Sequence, residues 1–297
     1  MLSSLESLLA NPSTQYTKSV IQAGLRTPVG ETVTWIVVED SDDVDVYQPL
    51  FKEDSVRILT SAYNVDGQEQ KGCSFLEKIV EEILTEEDNP SILGIRDADY
   101  TRYEVPVHVF PQNVFHTDHR DVEMMLLSSD SVQTDLEAWN PLFLSKLEEG
   151  KMVTRKLGYM RICNHLYSLG CNFKHKVKLS KLWDSRNHSV LSNWEQVLMD
   201  LFLTNCGNNE NLEEPFTDEK FNAVVEEKGL EQESHWNVAQ GHDTIRLLQY
   251  MMVKNEYCEK AIMKRITQAY SFTDFQTTNL YRNLKTWEES SATSILN

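Results

Sequence analysis

The stretch Ser91-Ile92-Leu93-Gly94-Ile95-Arg96-Asp97-Ala98-Asp99 joins a short apolar run to two carboxylates. Ile92, Leu93 and Ile95 have the character of a buried strand. Side chains alternate along a strand, so Asp97 and Asp99, two apart, are expected on one face. Two carboxylates aimed together repel unless something positive lies between them. A hard divalent cation such as Mg2+, bound by one or two carboxylates and water, is the usual remedy. On its own an Asp-X-Asp equally describes a solvated turn, so its surroundings decide.

Upstream, Thr32 to Val38 is β-branched and aromatic and reads as a central strand, ending at Glu39. Val44, Val46, Tyr47, Leu50 and Phe51 then fall at helical spacing, with Asp42 or Asp43 near the N-cap. Val56 to Thr60 is a second strand, 64–72 a polar loop, and Phe75, Leu76, Ile79, Val80, Ile83 and Leu84 one face of a helix. The order β-α-β-α-β over 32–99 implies a parallel sheet with crossover helices. It places Glu39 and Asp97/Asp99 at the carboxyl ends of strands, the edge where open α/β sheets hold their ligands. Short strands are expected at Val105–Phe110 and Val114–Phe115. In the cluster His116 to Glu123, Asp121 and Glu123 either complete a metal site or simply open a helix, where acids suit the dipole. From about residue 130 the pattern is helical, over 133–148, 152–169, 190–204, 217–228, 242–254 and 257–270. A strand is expected at 172–179, a loop at 205–216, a short helix and loop over 5–25, and fraying from about Glu288.

The 297 residues are 40% hydrophobic, enough for a sizeable core, and contain no run of eighteen apolar residues. The N-terminus lacks the basic start of a secretion signal. None of the five cysteines forms a CxxC pair, so neither a disulfide framework nor a zinc cluster is expected, and a reduced, cytoplasmic setting fits. Net charge is -18, which excludes indiscriminate nucleic-acid binding. Yet 151–186 carries nine Lys/Arg against the single acid Asp184, net +8, leaving -26 on the rest of the chain. Such a segment can steer a polyanion. Lys174, Lys176 and Lys178 are its expected nucleic-acid contacts; the interleaved Tyr159, Tyr167, Phe173 and Trp183 either stack on bases or belong to a helical core.

Glu39 after one strand, Asp97-Ala98-Asp99 after a later one, and Asp121/Glu123 together resemble the Toprim fold of topoisomerases, bacterial primases and overcoming-lysogenization-defect (OLD) nucleases. VVEDSDDVDVYQPLF, GIRDADY, VFHTDHRDVEMML and WNVAQGHDTIRLL are similar to motifs of one branch, which contains AriB, the toxic effector of the PARIS anti-phage system. The motifs span roughly 32–254. The resemblance implies a Toprim-like, Rossmann-like parallel sheet with helices on both faces over 31–130, after an extension at 1–30, and a mostly helical part over 131–297. It implies a Mg2+-dependent nuclease, with one or two ions and Mn2+ as an alternative. Glu39, Asp97, Asp99, Asp121 and Glu123 would be the ligands and catalytic acids, His119 a further catalytic residue, and Asp43, His242 and Asp243 supporting residues. The substrate implied is RNA, transfer RNA in particular. The partners implied are an AriA-like ABC-type ATPase that restrains the nuclease until a phage trigger appears, and a second copy in the active form.

One departure stands out: the family often has glycine after the first glutamate, whereas this chain has Asp40, whose Cβ is expected to crowd the turn. A Toprim scaffold that has lost chemistry but binds nucleic acid or protein is the competing reading. A primase-like nucleotide transfer ranks below both, since no P-loop is visible.

Overall fold

The computed structural model describes residues 17–30, 32–61, 63–65, 68–70, 72–88, 90–171, 173, 177–184, 186, 189–206, 214–252 and 257–297. The chain forms two compact units that do not follow chain order. The first comprises Met1–Asp97, Val109–Asp118 and Ser271–Asn297; the second, Ala98–His108 and His119–Tyr270. This differs from a division at 31–130 and 131–297, because the last stretch belongs with the sheet.

In the first unit, α1 (Thr17–Leu25) is followed by β1 (Thr34–Val38), α2 (Ser41–Tyr47), β2 (Val56–Thr60), a hairpin of β3 (Tyr63–Val65) and β4 (Gln68–Gln70), α3 (Cys73–Glu86), β5 (Ile92–Arg96) and β6 (Val114–His116). The helices Phe272–Phe275 and Asn279–Ser291 complete it. Four strands form an all-parallel sheet in the order β2-β1-β5-β6. The connection through α2 leads from β1 to β2; the one through α3 leads back past β1 to β5. Right-handed crossovers running in opposite directions put α2 and α3 on opposite faces. Trp35, Val37, Ile92 and Val114 share one dry core with Ile21 of α1 and with Leu76, Ile79, Val80 and Ile83 of α3. The alternate residues Ile36, Val38, Leu93 and Ile95 are equally buried and point the other way. Gly94 lets α3 pack directly on β5: a Cβ there would lie 2.5 Å from Leu76 Cδ2.

Three expectations fail around the sheet and the segments that follow it. Part of the predicted 64–72 loop is the β3–β4 hairpin. Val105–Phe110 forms no strand; Val105 and Val109 are 84% and 86% exposed, because alternation alone supplies no pairing partner. The chain does not fray from Glu288. The Glu288 carboxylate accepts the amides of Ile295 (2.7 Å) and Leu296 (3.2 Å), and Leu296 bridges to Phe51.

The second unit is helical: α4 (Val122–Leu127), α5 (Asp130–Trp139), α6 (Phe143–Tyr167), α7 (Trp194–Cys206), α8 (Asp218–Glu227), α9 (His235–Val238), α10 (Gly241–Met251) and α11 (Glu259–Ala269). Leu157 and Ile162 of α6, Phe202 of α7, Phe221 of α8 and Leu247 of α10 belong to its core. The predicted helices 133–148 and 152–169 divide instead at 140–142. There Asn140 Oδ1 accepts the Leu142 amide (2.9 Å) and Pro141 disfavours a helical residue before it. The expected strand 172–179 is absent from its described residues; Leu179–Leu182 is a 3-10 turn, and 172 and 174–176 lie outside the description. Most of the expected 205–216 loop does too. Cys171 is disulfide-bonded, which corrects the expectation of wholly free thiols: a long-range bridge needs close Cβ atoms, not CxxC spacing. No described helix is long and apolar enough to cross a membrane.

Candidate functional site

In the first unit β1 and β5 lie side by side, and the chain leaves them in opposite directions, towards β2 and β6. The crevice beyond their carboxyl ends is therefore a topological switch point, the place where such sheets bind ligands. Glu39 follows β1 and Asp97 follows β5, and the two meet: Glu39 Oε1 accepts the Asp97 amide at 2.9 Å. The buried Ser61 hydroxyl donates to the Glu39 carbonyl (3.0 Å) and accepts the Gly72 amide (3.1 Å), tying the end of β1 to the start of α3. Cys73 opens α3, and its Sγ lies within 4.8 Å of a Glu39 carboxylate oxygen. Behind Asp97 stands Arg96, 4% exposed, paired with Glu77 and lying 5.3 Å from the Phe110 ring centroid. Its Nε donates to the Asp97 carbonyl (2.8 Å). Neither Ser61, Cys73 nor Arg96 was singled out from sequence, since each looks like an ordinary strand or helix terminus there.

Asp40 crowds nothing. Its φ of -143° is extended backbone open to any residue, and its side chain is the N-cap of α2, accepting the Asp42 amide at 2.8 Å. The cap is thus Asp40, not Asp42 or Asp43. Asp43 returns the bond, accepting the Asp40 amide (3.1 Å) to close a capping box. Burial pushes the Asp43 carboxyl up to about 7, and the Asp40 charge adds to the shift.

Asp99 lies in the second unit. The strand ends at Arg96, and Asp99 has φ +48°, the left-handed region that Asp tolerates better than most residues. Strand alternation therefore does not reach it, which corrects the premise that Asp97 and Asp99 project together from one strand. Its amide donates to the Arg120 carbonyl (2.8 Å), and its carboxylate lies 3.4 Å from Arg120 Nη2. Arg120 is 5% exposed, stacked 4.1 Å from the Tyr100 ring centroid and 3.1 Å from Asp121 Oδ2. Burial works against its charge, but Tyr100, Asp121 and Asp99 outweigh it and its pKa is raised.

The cluster from His116 to Glu123 divides by role. Asp118, in the first unit, accepts the amides of Asn279 (2.6 Å) and Leu280 (2.8 Å) at the start of the helix Asn279–Ser291. In the second unit His119 Nδ1 meets Asn237 Oδ1 at 3.0 Å. Asp121 is the N-cap of α4: it accepts the Met124 amide (3.0 Å), an Arg120 N–H and the Gly241 amide (2.9 Å). The alternative of a capped helix start thus accounts for Asp121. Glu123, also buried, lies 3.4 Å from His242 Nε2, whose other nitrogen is 3.3 Å from Glu259. Gly241 is glycine because of this approach: a Cβ would come 2.3 Å from Glu123 Cβ. The buried Asp243 receives Arg161 bidentately, Nε at 2.6 Å and Nη2 at 2.9 Å. Gly241-His242-Asp243 therefore fastens α10 to α4 on one side and to α6 on the other.

Four of the described bases of the basic segment, Lys151, Arg155, Lys156 and Arg161, are engaged inside this unit, while Lys178, Lys181 and Arg186 are exposed. Lys151 pairs with Glu148 and lies over Trp236; Arg155 donates to the carbonyls of Leu230, Glu231 and Glu233; Lys156 lies over Phe221. Tyr159 and Phe173 are buried in the core. Lys178 is exposed; Lys174 and Lys176 lie outside the described residues.

Glu39 and Asp97 both carry hard carboxylate oxygens, the donors Mg2+ or Mn2+ takes, but it is the Asp97 amide, not its carboxylate, that reaches Glu39. Cys73 adds a soft sulfur that Mg2+ does not seek. The chain matches no known family profile and no curated protein.

Proposed function

We propose that the protein is a magnesium-dependent nuclease acting on RNA, transfer RNA in particular, as a toxic effector of anti-phage defence. The observation that supports this reading is the Glu39 carboxylate, held by the Asp97 amide, at the switch point of a parallel sheet. The Toprim resemblance adds Asp99 to the ligands, with Glu123 towards a second ion. Bound there, the metal supplies charge neutralisation at the scissile phosphate and lowers the pKa of a coordinated water. Glu39 presents its carboxylate from a fixed position, one oxygen oriented by the Asp97 amide, and is the candidate proton acceptor. Arg96 offsets negative charge behind Asp97. Asp121 is a positioning residue rather than a ligand, since its oxygens already accept three N–H groups. His119, whose Nδ1 meets Asn237, is the further catalytic residue that the resemblance implies. Restraint by an AriA-like ABC-type ATPase and activity as a homodimer follow from the resemblance alone.

The test is purified protein incubated with total tRNA, plasmid and single-stranded DNA, with and without Mg2+. Wild type should cleave RNA only with metal, and Glu39→Gln and Asp97→Asn should each lose at least about 100-fold, as expected when metal and proton transfer are both disturbed. Equal cleavage by both variants refutes the reading. A non-catalytic nucleic-acid or protein binding module is the second reading, favoured by the soft Cys73 sulfur beside Glu39, which Mg2+ does not seek; RNA binding without cleavage under any metal would establish it.

A further inference from the structure

A cavity of about 430 Å3 opens in the second unit beside the start of α10, lined among others by Arg161, Phe173, Gln240, His242, Asp243 and Arg246. That volume is within the range of small-ligand sites. Its wall is rich in donors and poor in acceptors. A guanidinium carries five N–H groups. Arg161 gives two of them to Asp243, and the other three meet no acceptor among the described residues. Its plane is held 4.4 Å from the Phe173 ring centroid, so it cannot swing out freely. Arg246 gives only Nε, to Glu259 (3.2 Å), leaving four N–H groups without a protein acceptor among the described residues. The Gln240 side-chain amide is likewise unengaged there, and as N-cap residue it places no side-chain oxygen over the first turn of α10. The lining contains one carboxylate, Asp243, and Arg161 neutralises it. His242, held between Glu123 and Glu259, also faces acids, as Arg246 does through Nε.

Two oriented guanidiniums and a side-chain amide around a nucleotide-sized space complement a ligand with several anionic acceptors. The geometry points to a phosphate-binding site in this cavity, taking the phosphoryl group of a nucleotide or of a nucleic-acid strand end. Its lining includes neither Glu39 nor Asp97, and the proposal does not depend on metal or on nuclease activity.

Binding is measured by calorimetry in EDTA, at constant ionic strength, for adenosine 5′-monophosphate, adenosine, inorganic phosphate, and a short single-stranded RNA with or without a 5′-phosphate. The monophosphate should bind at least about tenfold tighter than adenosine. Arg246→Gln and Gln240→Glu, each at a partly exposed position and checked for folding by circular dichroism, should weaken it about tenfold or more; Glu39→Gln should not. Inorganic phosphate matching the nucleotide would identify free phosphate as the ligand, and preference for the 5′-phosphorylated strand would identify a strand end. Equal affinity for adenosine and its monophosphate, or variants that bind as wild type, overturns the proposal. Because metal is absent, that failure would leave the nuclease reading untouched, and loss of hydrolysis in Glu39→Gln would leave this one untouched.

Discussion

Replacing Gly241 by alanine tests how the second unit is fastened. The added Cβ would sit 2.3 Å from Glu123 Cβ, 2.8 Å from Asp121 Oδ1 and 3.0 Å from Glu123 Oε2. Carbon atoms pack at roughly 3.5–4.0 Å, so the segments must separate by more than about 1 Å. The Glu123 carboxylate can rotate away, but its Cβ is fixed to the backbone of α4. Overpacking of this kind costs about 1–3 kcal/mol. Separation also stretches the bond from the Gly241 amide to the Asp121 carboxylate, worth about 1.5–3 kcal/mol for a charged acceptor. Alanine's better helix propensity returns at most about 1 kcal/mol. The clash therefore wins, with a net loss of about 2–4 kcal/mol. Urea titration followed by tryptophan fluorescence should show a lowered midpoint, Trp236 lying close to this region in sequence. His242→Ala, at an exposed neighbouring position, is the control and should shift the midpoint little. A Gly241→Ala protein that unfolds within about 0.5 kcal/mol of wild type would refute the close approach of α10 to α4, since that is the scatter of neutral surface changes.

Asp43 and His235 give opposite pH dependences. Asp43 keeps its proton up to about 7 when folded and loses it near 3.8 when unfolded, so the folded state binds more protons between those values and stability falls as pH rises through them. Asp43→Asn, which keeps the acceptor for the Asp40 amide, should remove that slope and stabilise the protein above pH 7 by about 1–2 kcal/mol, well under the ceiling of about 1.4 kcal/mol per unit because the group is only half-buried. His235 is buried with neither ring nitrogen hydrogen-bonded, and burial, with Lys151 and Arg155 nearby, holds its imidazole down to about 3. Its contribution is complete above 6.5 and is lost as pH falls from there towards 3; His235→Phe should flatten acid denaturation at a cost under about 1 kcal/mol, because no hydrogen bond is given up. Asp40→Asn should leave both stability and magnesium-dependent cleavage near wild type, as expected of a helix cap; a loss as deep as that of Glu39→Gln would make Asp40 a ligand.

The sheet and its acidic edge were legible because β1 and β5 are continuous apolar runs ending abruptly in carboxylates, a local pattern that survives folding. That the sheet is parallel followed from the β-α-β-α-β rhythm. What could not be read were roles set by distant partners. Asp121 looks like a metal ligand or a cap in sequence alike, and only the arrival of the Gly241 amide decides that its oxygens are occupied. Arg161 and Asp243 are 82 residues apart, and nothing in either stretch announces the pair. Val105, Val107 and Val109 alternate as a strand should, yet without a neighbouring strand the pattern is idle. Conversely, the polar tail after Glu288 looked loose because the amides of Ile295 and Leu296 find their acceptor by folding back on that same glutamate.

The interleaving of the two units bears on synthesis. Residues 271–297 provide Leu280, Leu284 and Ile295, all fully buried, and they leave the ribosome after the helical stretch. The inserted helical stretch is translated in full before the sheet receives these side chains. A nascent chain stalled before residue 271 would hold Glu39 and Asp97 in an unfinished layer, so a cell making this protein would meet its acidic edge in finished form only once the helical insertion has been made.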